Sequence, residues 1–144
     1  MAIVNQVLKA KAGTGVSSVT PETMVIDALR LMAEKNIGAV MVVDNDKLVG
    51  IFSERDYARK VVLKDKASDS TAIREIMTGN VYSVTPTQTI DDCMQLMTDK
   101  NFRHLPVMDN GKLLGVISLG DLVRYVIEEQ KHTIKNLENY ISGQ

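Results

Sequence analysis

The chain has 144 residues, of which 44% are hydrophobic and 24% are charged, a composition typical of a globular protein. Seventeen Lys and Arg stand against 18 Asp and Glu, and the formal charge of −1 argues against a nucleic-acid partner. The single cysteine, Cys93, excludes an internal disulfide, and only two histidines argue against a metal site. There is no apolar signal core and no apolar run of membrane-spanning length. We therefore expect a soluble, cytoplasmic protein without a membrane partner.

An internal repeat is the most informative feature of the sequence. Residues 16–62 align without a gap with residues 81–127, and 20 of these 47 positions are identical. Chance would give about three identities at average residue frequencies. Two copies are too few for a solenoid. We therefore expect a tandem duplication that packs as a pseudo-two-fold pair around a shared core.

The same elements are predicted in both copies, in the same order. A short strand (16–19 or 81–84) precedes Thr-Pro, which is typical of a helix N-cap followed by proline in the first turn, at Thr20-Pro21 and Thr85-Pro86. Thr85 and Gln88 also fit a capping box. Apolar residues at helical spacing come next: Val25, Ala28, Leu29 and Met32, and then Ile90, Cys93, Met94 and Met97. Two strands follow, at 39–43 and 48–52 or at 105–108 and 113–117, and the second pair flanks an Asn-Gly turn. A short helix then begins at Ser53 or Ser118, which completes a mixed α/β (α+β) fold of two β-α-β-β-α units.

The regions outside the repeat complete the domain organisation. Ile3, Val4, Val7 and Leu8 predict a short N-terminal amphipathic helix, and 72–77 predict one helical turn. The last helix is expected to run from Leu119 to about Ile141, with apolar residues at coiled-coil spacing. The predicted parts are an N-terminal arm at 1–15, a first domain at 16–63, a linker at 64–80, a second domain at 81–127 and a C-terminal helical extension at 128–144.

The pattern Gly-x-x-Ser-x-x-Asp ends each copy, as Gly50, Ser53 and Asp56 and again as Gly115, Ser118 and Asp121. The simpler interpretation is a helix cap, with serine at the N-cap and aspartate in the first turn. A binding interpretation uses the same geometry, because the N–H groups of a helix N-terminus attract a phosphate. The serine hydroxyl would add a hydrogen bond, and the aspartate would accept both hydroxyls of a ribose. A cap explains the serine and tolerates the aspartate, but it does not require the glycine.

The duplicated motif, together with Phe102-Arg103-His104-Leu105-Pro106-Val107, resembles the cystathionine-β-synthase (CBS) domain. Two such domains in tandem resemble a Bateman module. The resemblance covers about residues 16–127 and is strongest to stand-alone bacterial CBS-pair proteins, because the chain shows no catalytic domain. It implies a regulatory sensor, not an enzyme. Its expected ligand is an adenosine-containing small molecule (AMP, ADP, ATP, NAD or S-adenosylmethionine) in two clefts between the repeats, with no catalytic cofactor.

The resemblance also implies which residues bind the nucleotide. Asp56 and Asp121 match the ribose-binding acid, and Ser53 and Ser118 match the hydroxyl position. The segments that line the adenine pocket match Ile37, Gly38, Ala39, Val40 and Met41 in the first copy, and Phe102, Arg103, His104, Leu105 and Pro106 in the second. The upstream polar elements supply Ser18, Thr20, Ser83 and Thr85.

The charges of the two copies differ, so we expect two unequal sites. Arg103 and His104 replace small residues of the first copy and are candidate phosphate ligands, although a hydrogen-bonded histidine at a strand start is the simpler interpretation of His104. Arg55 is equally well explained as a phosphate ligand or as a solvated arginine. For Arg59 and Lys60 a solvated helix face is the favoured interpretation.

Two functions from different classes compete at this point. In the first, two chains form a homodimer, and nucleotide binding changes the relative angle of the two domains, with an effect on oligomeric state or on an unidentified protein partner in trans. In the second, the pair is a ligand-independent dimerisation scaffold built on the end helices. An enzyme that acts on nucleotides is the least favoured, because no general base beside a nucleophile or metal is recognisable.

Overall fold

The computed structural model describes residues 2–11 and 16–142. The elements of the first unit are β1 (Ser18–Val19), α2 (Val25–Lys35), β2 (Ala39–Asp44), β3 (Lys47–Ser53) and α3 (Glu54–Asp56), which continues in π-type turns over Tyr57–Val62. Those of the second unit are α4 (Ile90–Lys100), β4 (His104–Asp109), β5 (Lys112–Ser118) and α5 (Leu119–Ile141). Helix α1 (Val4–Ala10) precedes the first unit, and a 3₁₀ turn (Ile73–Glu75) precedes the second. The predicted mixed α+β fold with two similar units is confirmed.

Both predicted hairpins are present. Strands β2 and β3 pair antiparallel, as do β4 and β5, with equivalent registers in the two units. Asn110 (φ 50°) and Gly111 (φ 79°) both adopt the left-handed conformation that a two-residue hairpin turn requires, and Asn45 and Asp46 do the same in the first unit. Strand β1 lies parallel to β2, whereas the strand predicted at 81–84 is reduced to a single parallel bridge at Val84.

The helix starts predicted at the Thr-Pro pairs are wrong. Helices α2 and α4 begin four residues later, and Thr20 and Thr85 lie in turns, where the Thr85 N–H donates to Oε1 of Gln88 (2.8 Å). The reason is tertiary, because the first N–H groups of each helix find acceptors on a distant segment. The Val25 N–H donates to the carbonyl of Thr71 (2.9 Å), and the Ile90 N–H donates to that of Ala2 (3.0 Å).

The expected shared core is replaced by two separate hydrophobic clusters. In one cluster, Ile73 and Ile76 of the linker pack against the first unit. In the other, Val4 and Val7 of α1 pack against the second unit. The segment that precedes each unit therefore crosses over and completes the core of the other unit. This exchange joins the two units without a common core.

The remaining elements agree with the sequence. The turn predicted at 72–77 is the 3₁₀ turn, and α5 extends to Ile141. Ser53 and Ser118 are the N-caps of α3 and α5. The arm predicted at 1–15 and the extension at 128–144 lie partly outside the described residues. Within the described part of the chain, no helix has the length and apolarity needed to cross a membrane.

Candidate functional site

The serine and aspartate of each motif form a reciprocal helix cap. In the first unit, the Ser53 N–H donates to Oδ2 of Asp56 (3.0 Å), and the Asp56 N–H donates to Oγ of Ser53 (3.1 Å). In the second unit, the equivalent distances between Ser118 and Asp121 are 2.8 Å and 3.0 Å. The capping interpretation is therefore confirmed. Capping uses Oδ2 of each aspartate and orients Oδ1 away from the backbone cap.

The glycine of each motif is explained by the crossing segments. A Cβ on Gly50 would lie 2.6 Å from Sδ of Met77 and 3.0 Å from the carbonyl oxygen of Thr78. A Cβ on Gly115 would lie 2.8 Å from Cδ2 of Leu8 in α1. Each glycine is thus the place where an exchanged segment touches the strand of the other unit. Its role is close packing, which the capping and binding interpretations both overlooked.

A cavity of about 520 Å³ opens between the two units beside Asp56, and we call it the first cleft. Its size lies within the range of small-molecule binding sites, about 300–1,000 Å³. Its walls come from the entry to β2, the start of α3, the linker end and the entry to β4. Seven of the predicted ligand residues line it: Gly38, Ser53, Arg55, Asp56, Phe102, Arg103 and His104.

Asp56 lines this cleft, and its Oδ1, the oxygen that the backbone cap does not use, has only side-chain partners among the described residues. Its Oδ1 accepts a hydrogen bond from the Thr78 hydroxyl (3.3 Å) and lies 3.2 Å from Nζ of Lys60. The Lys60 ammonium also donates to the Thr78 hydroxyl (3.3 Å), which closes a three-membered polar network. Both contacts with Oδ1 are long and come from side chains, and the Asp56 carboxylate is only partly buried. The carboxylate can therefore exchange them for the hydroxyl groups of a ligand.

The first cleft is rich in positive charge. Its lining contains five cations, which are Arg55, Arg59, Lys60, Lys100 and Arg103, against the two carboxylates of Glu54 and Asp56. Arg59 and Lys60, for which a solvated helix face was the favoured interpretation, are exposed and half-buried respectively, and both also border the cavity. Such an excess of cations attracts an anion such as a phosphate chain.

Arg55 bridges the two units rather than extending freely into solvent. Its guanidinium donates to the carbonyl of Asn101 at 3.1 Å, and it thereby joins the start of α3 to the end of α4.

Burial lowers the pKa of His104, which also lines the cleft. The charge of Asp121 opposes this shift, while Lys11 and Arg103 add to it. His104 is therefore neutral at pH 7 and offers a hydrogen bond rather than a charge.

Aromatic side chains form another part of the wall. The rings of Tyr82 and Phe102 lie 5.6 Å apart with a tilt of 46°, and the Lys100 ammonium lies 5.1 Å from the centre of the Tyr82 ring. Rings at this position offer an apolar surface to a planar ligand group.

Several other predicted ligand residues lie away from the first cleft. The side chains of Val40, Met41, Leu105 and Pro106 are buried within the strands, as is that of Ala39. Ser18, Thr20, Ser83 and Thr85 lie in β1 or in turns, and Ile37 packs on the first core. Of the two predicted adenine segments, the structure thus places only the entry residues at the cavity wall.

The sequence analysis missed eight cleft residues: Ile51, Glu54, Thr78, Asn80, Val81, Tyr82, Lys100 and Asn101. Thr78 and Asn80 belong to the linker end, Val81 and Tyr82 begin the second unit, and Lys100 ends α4. A signal existed for the linker residues, because this stretch directly precedes the second copy and equivalent elements recur in a duplicated fold. Nothing in the sequence spacing, however, shows that the linker crosses to the first unit.

The second motif has different surroundings. Oδ2 of Asp121 lies 2.8 Å from Nζ of Lys11, and Oδ1 binds the guanidinium of Arg124. Burial alone would raise the pKa of Asp121, but hydrogen bonds from Lys11 and Ser118 outweigh it and hold the pKa below its usual value. A cavity of about 480 Å³, lined by both cations, opens at this carboxylate, and we call it the second site.

Cys93 is a core residue, as expected. It is fully buried in the cluster of the second unit, and burial, followed by the charge of Asp92, raises its pKa to about 11. Its thiol is therefore protonated at neutral pH and is a poor nucleophile. Among residues 2–11 and 16–142, no group of three or more His, Cys, Asp or Glu side chains could hold a metal ion.

Comparison with known proteins identifies the class of protein that this architecture represents. The model of the CBS domain family matches residues 13–63 and 73–128. The chain belongs to the CBS-domain family and contains two consecutive copies of the domain.

Individual relatives share most of the chain. The solved structure of a protein with CBS domains from Burkholderia ambifaria MC40-6 is 54% identical, covers 90% of this chain and 96% of its own, and superposes with a TM-score of 0.87. The mitochondrial CBS domain-containing protein CBSX3 of Arabidopsis thaliana is 36% identical over 97% of this chain and 72% of its own length. The CBS domain pair of protein MJ0100, solved with 5′-methylthioadenosine and S-adenosyl-L-methionine, is 24% identical and shares the fold with a TM-score of 0.79, over 90% of this chain and 98% of its own.

Proposed function

We propose that this protein is a regulatory, non-catalytic sensor that binds an adenine nucleotide (AMP, ADP, ATP or NAD) in the first cleft. The observation that carries the proposal is the juxtaposition of Asp56 with five cations in a cavity between the two units. A nucleotide combines hydroxyl donors with an anionic phosphate chain, and the cleft offers an acceptor at Asp56 together with cations from both units. The CBS pair of MJ0100, solved with 5′-methylthioadenosine and S-adenosyl-L-methionine, supports the adenosine part of this proposal, and the phosphate part rests on the cations of the cleft.

Each wall has a role in this proposal. Oδ1 of Asp56 accepts the ribose hydroxyls in place of Thr78 and Lys60, while Ser53 holds the carboxylate in position. The released Lys60 ammonium and Arg103 then bind phosphate. Phe102 and Tyr82 supply the apolar surface for the adenine ring.

The position of the cleft explains how binding is transmitted. Its residues come from both units, and Arg55 already joins them through Asn101. A nucleotide that contacts both walls stabilises one relative angle of the units over others, and only such a difference in affinity shifts a population. The linker joins the two units along the chain, and its end also lines the cleft at Thr78.

We further propose that the protein acts as a cytoplasmic homodimer through α5. Apolar residues recur there at alternating spacings of four and three, and they are well exposed: Ile127, Ile134, Leu137 and Ile141, with Val123 before them. This period of 3.5 is the spacing by which two helices pair in a coiled coil, and Gln130 is the polar interruption that fixes a register. We propose that the partner of this stripe is α5 of a second copy, which presents the same repeat. The alternative partner is an unidentified protein in trans.

The exposed α5 stripe also favours a second candidate function, a ligand-independent dimerisation scaffold. A scaffold needs this surface and no cleft. The two functions therefore differ in whether Asp56, beyond its role as a helix cap, matters for nucleotide binding.

Thermal unfolding with AMP, ADP, ATP and NAD tests the sensor. A nucleotide at 100 times its dissociation constant adds about 2.7 kcal/mol to the free energy of unfolding, which raises Tm by several degrees. Asp56→Asn keeps an acceptor for the cap but removes the charge, so we expect about tenfold weaker binding. Asp69→Asn, which makes the same charge change at an exposed linker position, is the matched control. No shift with any of the four at millimolar concentration would leave the scaffold as the supported function.

Sedimentation equilibrium tests the dimer. Ile134→Asp combined with Leu137→Asp places charges in the proposed coiled-coil seam, and we expect a monomer. Asn136→Asp lies between them on the helix but off the stripe, and it should remain dimeric. A monomeric wild-type chain, or a double variant that stays dimeric, contradicts the proposed interface.

A further inference from the structure

A groove of about 430 Å³ lies in the corner between α5 and the start of α4, and we call it the α5 groove. Its lining combines apolar side chains with two carboxylates: Ala2, Ile90, Val126, Ile134, Asp91 and Glu129. Ile134 also belongs to the exposed stripe of α5, so the groove is continuous with the surface that we propose for dimerisation. A partner that covers the stripe therefore lies next to the groove as well.

The stripe has the same spacing in both directions along the helix. Together with Gln130, its residues are separated by 4, 3, 4, 3 and 4 positions: Val123, Ile127, Gln130, Ile134, Leu137 and Ile141. The series is symmetric about His132. Two copies of α5 that run antiparallel around a two-fold axis at this position therefore align the whole stripe, with Ile127 opposite Leu137 of the second copy.

Flanking charges favour antiparallel over parallel pairing. An antiparallel pair places Arg124 beside Glu138 of the second copy, and the two-fold axis repeats this contact. Arg124 is 72% exposed, and the donors that its guanidinium does not use for Asp121 can bind a second carboxylate. A parallel pair places Thr133 beside Glu138 instead, and it joins no opposite charges across the stripe.

One like-charge contact opposes the antiparallel arrangement. Lys131 meets Lys131 of the second copy near the axis, on the same side of the stripe as Arg124. Nζ of Lys131 lies 3.6 Å from Oε1 of Glu128 in its own helix, and this ion pair offsets part of the repulsion. Two favourable ion pairs therefore outnumber one screened repulsion.

Tyr140 is the aromatic side chain that antiparallel pairing brings to the α5 groove. It is 83% exposed in the single chain, and it lies on the same side of the stripe as Val126 and Thr133, which both line the groove. In an antiparallel pair, Tyr140 of the second copy lies beside Val126. Its ring is apolar, and its hydroxyl can donate to the carboxylate of Asp91 or Glu129.

A parallel pair leaves the groove empty of this ring. Both Tyr140 side chains then lie 14 positions along the chain from Val126. This separation is about 21 Å along the helix, so neither ring reaches the groove. Filling of the groove by Tyr140 therefore depends on the direction of the pair.

We propose that the α5 groove is the docking site for Tyr140 of a second copy, in an antiparallel pair of α5 helices. This inference rests on the proposed dimer through α5, and it adds the direction of the pair and a further contact surface. The tip of each helix then packs on the second unit of the other chain, where Ala2 precedes the exchanged α1 and Ile90 begins α4. The dimer thereby contacts the crossing segment that completes the second core.

Disulfide cross-linking of the full chain tests the direction of the pair. Oxidation of mixed Ile127→Cys and Leu137→Cys chains should link one variant to the other, and each variant alone should not link to itself. Lys135→Cys, at an exposed position off the stripe, is the control that should not link in either case. Self-linked Ile127→Cys and Leu137→Cys show a parallel pair, which overturns the inference and leaves the α5 dimer standing. A dimer that links in neither way pairs through another surface and overturns it too, whereas a monomer in sedimentation equilibrium refutes the proposed dimer and the groove together.

Fluorescence tests the occupant of the groove. The chain has no tryptophan, so Tyr140→Trp provides a single reporter. We expect blue-shifted emission and protection from acrylamide in the dimer, both lost on dilution to the monomer, whereas Asn139→Trp should stay exposed throughout. Tyr140→Ala should raise the dimer dissociation constant about tenfold and leave monomer stability unchanged, since the ring is exposed in the single chain. Solvent-exposed emission from Tyr140→Trp in the dimer, or a Tyr140→Ala dimer as tight as wild type, overturns the docking.

Discussion

Substituting alanine for the motif glycines separates a packing role from a ligand role. In Gly50→Ala the new methyl group would lie 2.6 Å from Sδ of Met77 and 3.0 Å from the carbonyl oxygen of Thr78. That carbonyl is part of the backbone and accepts from the Ile51 N–H at 3.0 Å, so it cannot withdraw without loss of this hydrogen bond. In Gly115→Ala the close contact is the terminal methyl of Leu8, which can rotate.

Because these contacts differ, the two substitutions should lower the free energy of unfolding by different amounts. Overpacking destabilises by about 1–3 kcal/mol, and the lower entropy of unfolded alanine returns about 0.5–1 kcal/mol. For Gly50→Ala we expect a net loss of about 1–2 kcal/mol, or a fall in Tm of about 3–6 °C. For Gly115→Ala the two effects nearly cancel, and we expect a change within about 0.5 kcal/mol.

Urea unfolding of both variants without nucleotide measures these costs. Gly50→Ala should lower stability without weakening nucleotide binding at Asp56, because the Thr78–Asp56 hydrogen bond that it disturbs is one that the ligand replaces. The reasoning is refuted if Gly50→Ala is as stable as wild type, or if Gly115→Ala is the more damaging change. Equal stability with lost binding would show that the glycine serves the ligand and not the crossing segment.

Three further predictions concern titratable groups. The lowered pKa of Asp121 makes its contribution to stability complete above the ordinary value of 3.8 and lost as pH falls through the lowered pKa; Asp121→Asn should cost about 2 kcal/mol at pH 7 and progressively less as the pH falls below 3.8, measured by urea unfolding at each pH. The lowered pKa of His104 means that the unfolded state binds protons first as pH falls below 6.5; His104→Gln should remove this loss of stability, and a steep loss that persists in the variant contradicts the assignment. Cys93, with its pKa raised to about 11, should react with a thiol-specific reagent at pH 8 only on unfolding, and fast reaction of the native protein would place the thiol at the surface.

Local patterns determined the elements accurately wherever neighbouring residues decide the structure. The hairpin at Asn110-Gly111 follows from backbone conformations that asparagine and glycine tolerate. The caps at Ser53 and Ser118 follow from a contact that spans three residues. The helix starts at the Thr-Pro pairs were wrong because their competitor, the carbonyl of Thr71, lies about 50 residues away along the chain.

The candidate site was predictable to a similar extent. The repeat indicated Asp56 and Arg103 as ligand candidates, and the structure places both at the first cleft. It did not indicate Thr78, whose proximity to Asp56 depends on the path of the linker. The strand residues of the expected adenine segments were assigned by position in a motif, whereas the structure buries consecutive residues of β2 and β4, so that both strand faces are covered there.

The sequence by itself determined that this protein consists of two equivalent units, each with a hairpin and a capped helix bearing an aspartate. Repetition and short-range hydrogen bonding suffice for those conclusions. Only the tertiary structure decided that the segment before each unit packs on the other unit, and that Asp56 thereby meets a hydroxyl while Asp121 meets Lys11. Long-range packing decides this arrangement, because an apolar helix or turn can be buried against any surface that fits its apolar face. The spacing of residues along the chain does not show which surface that is.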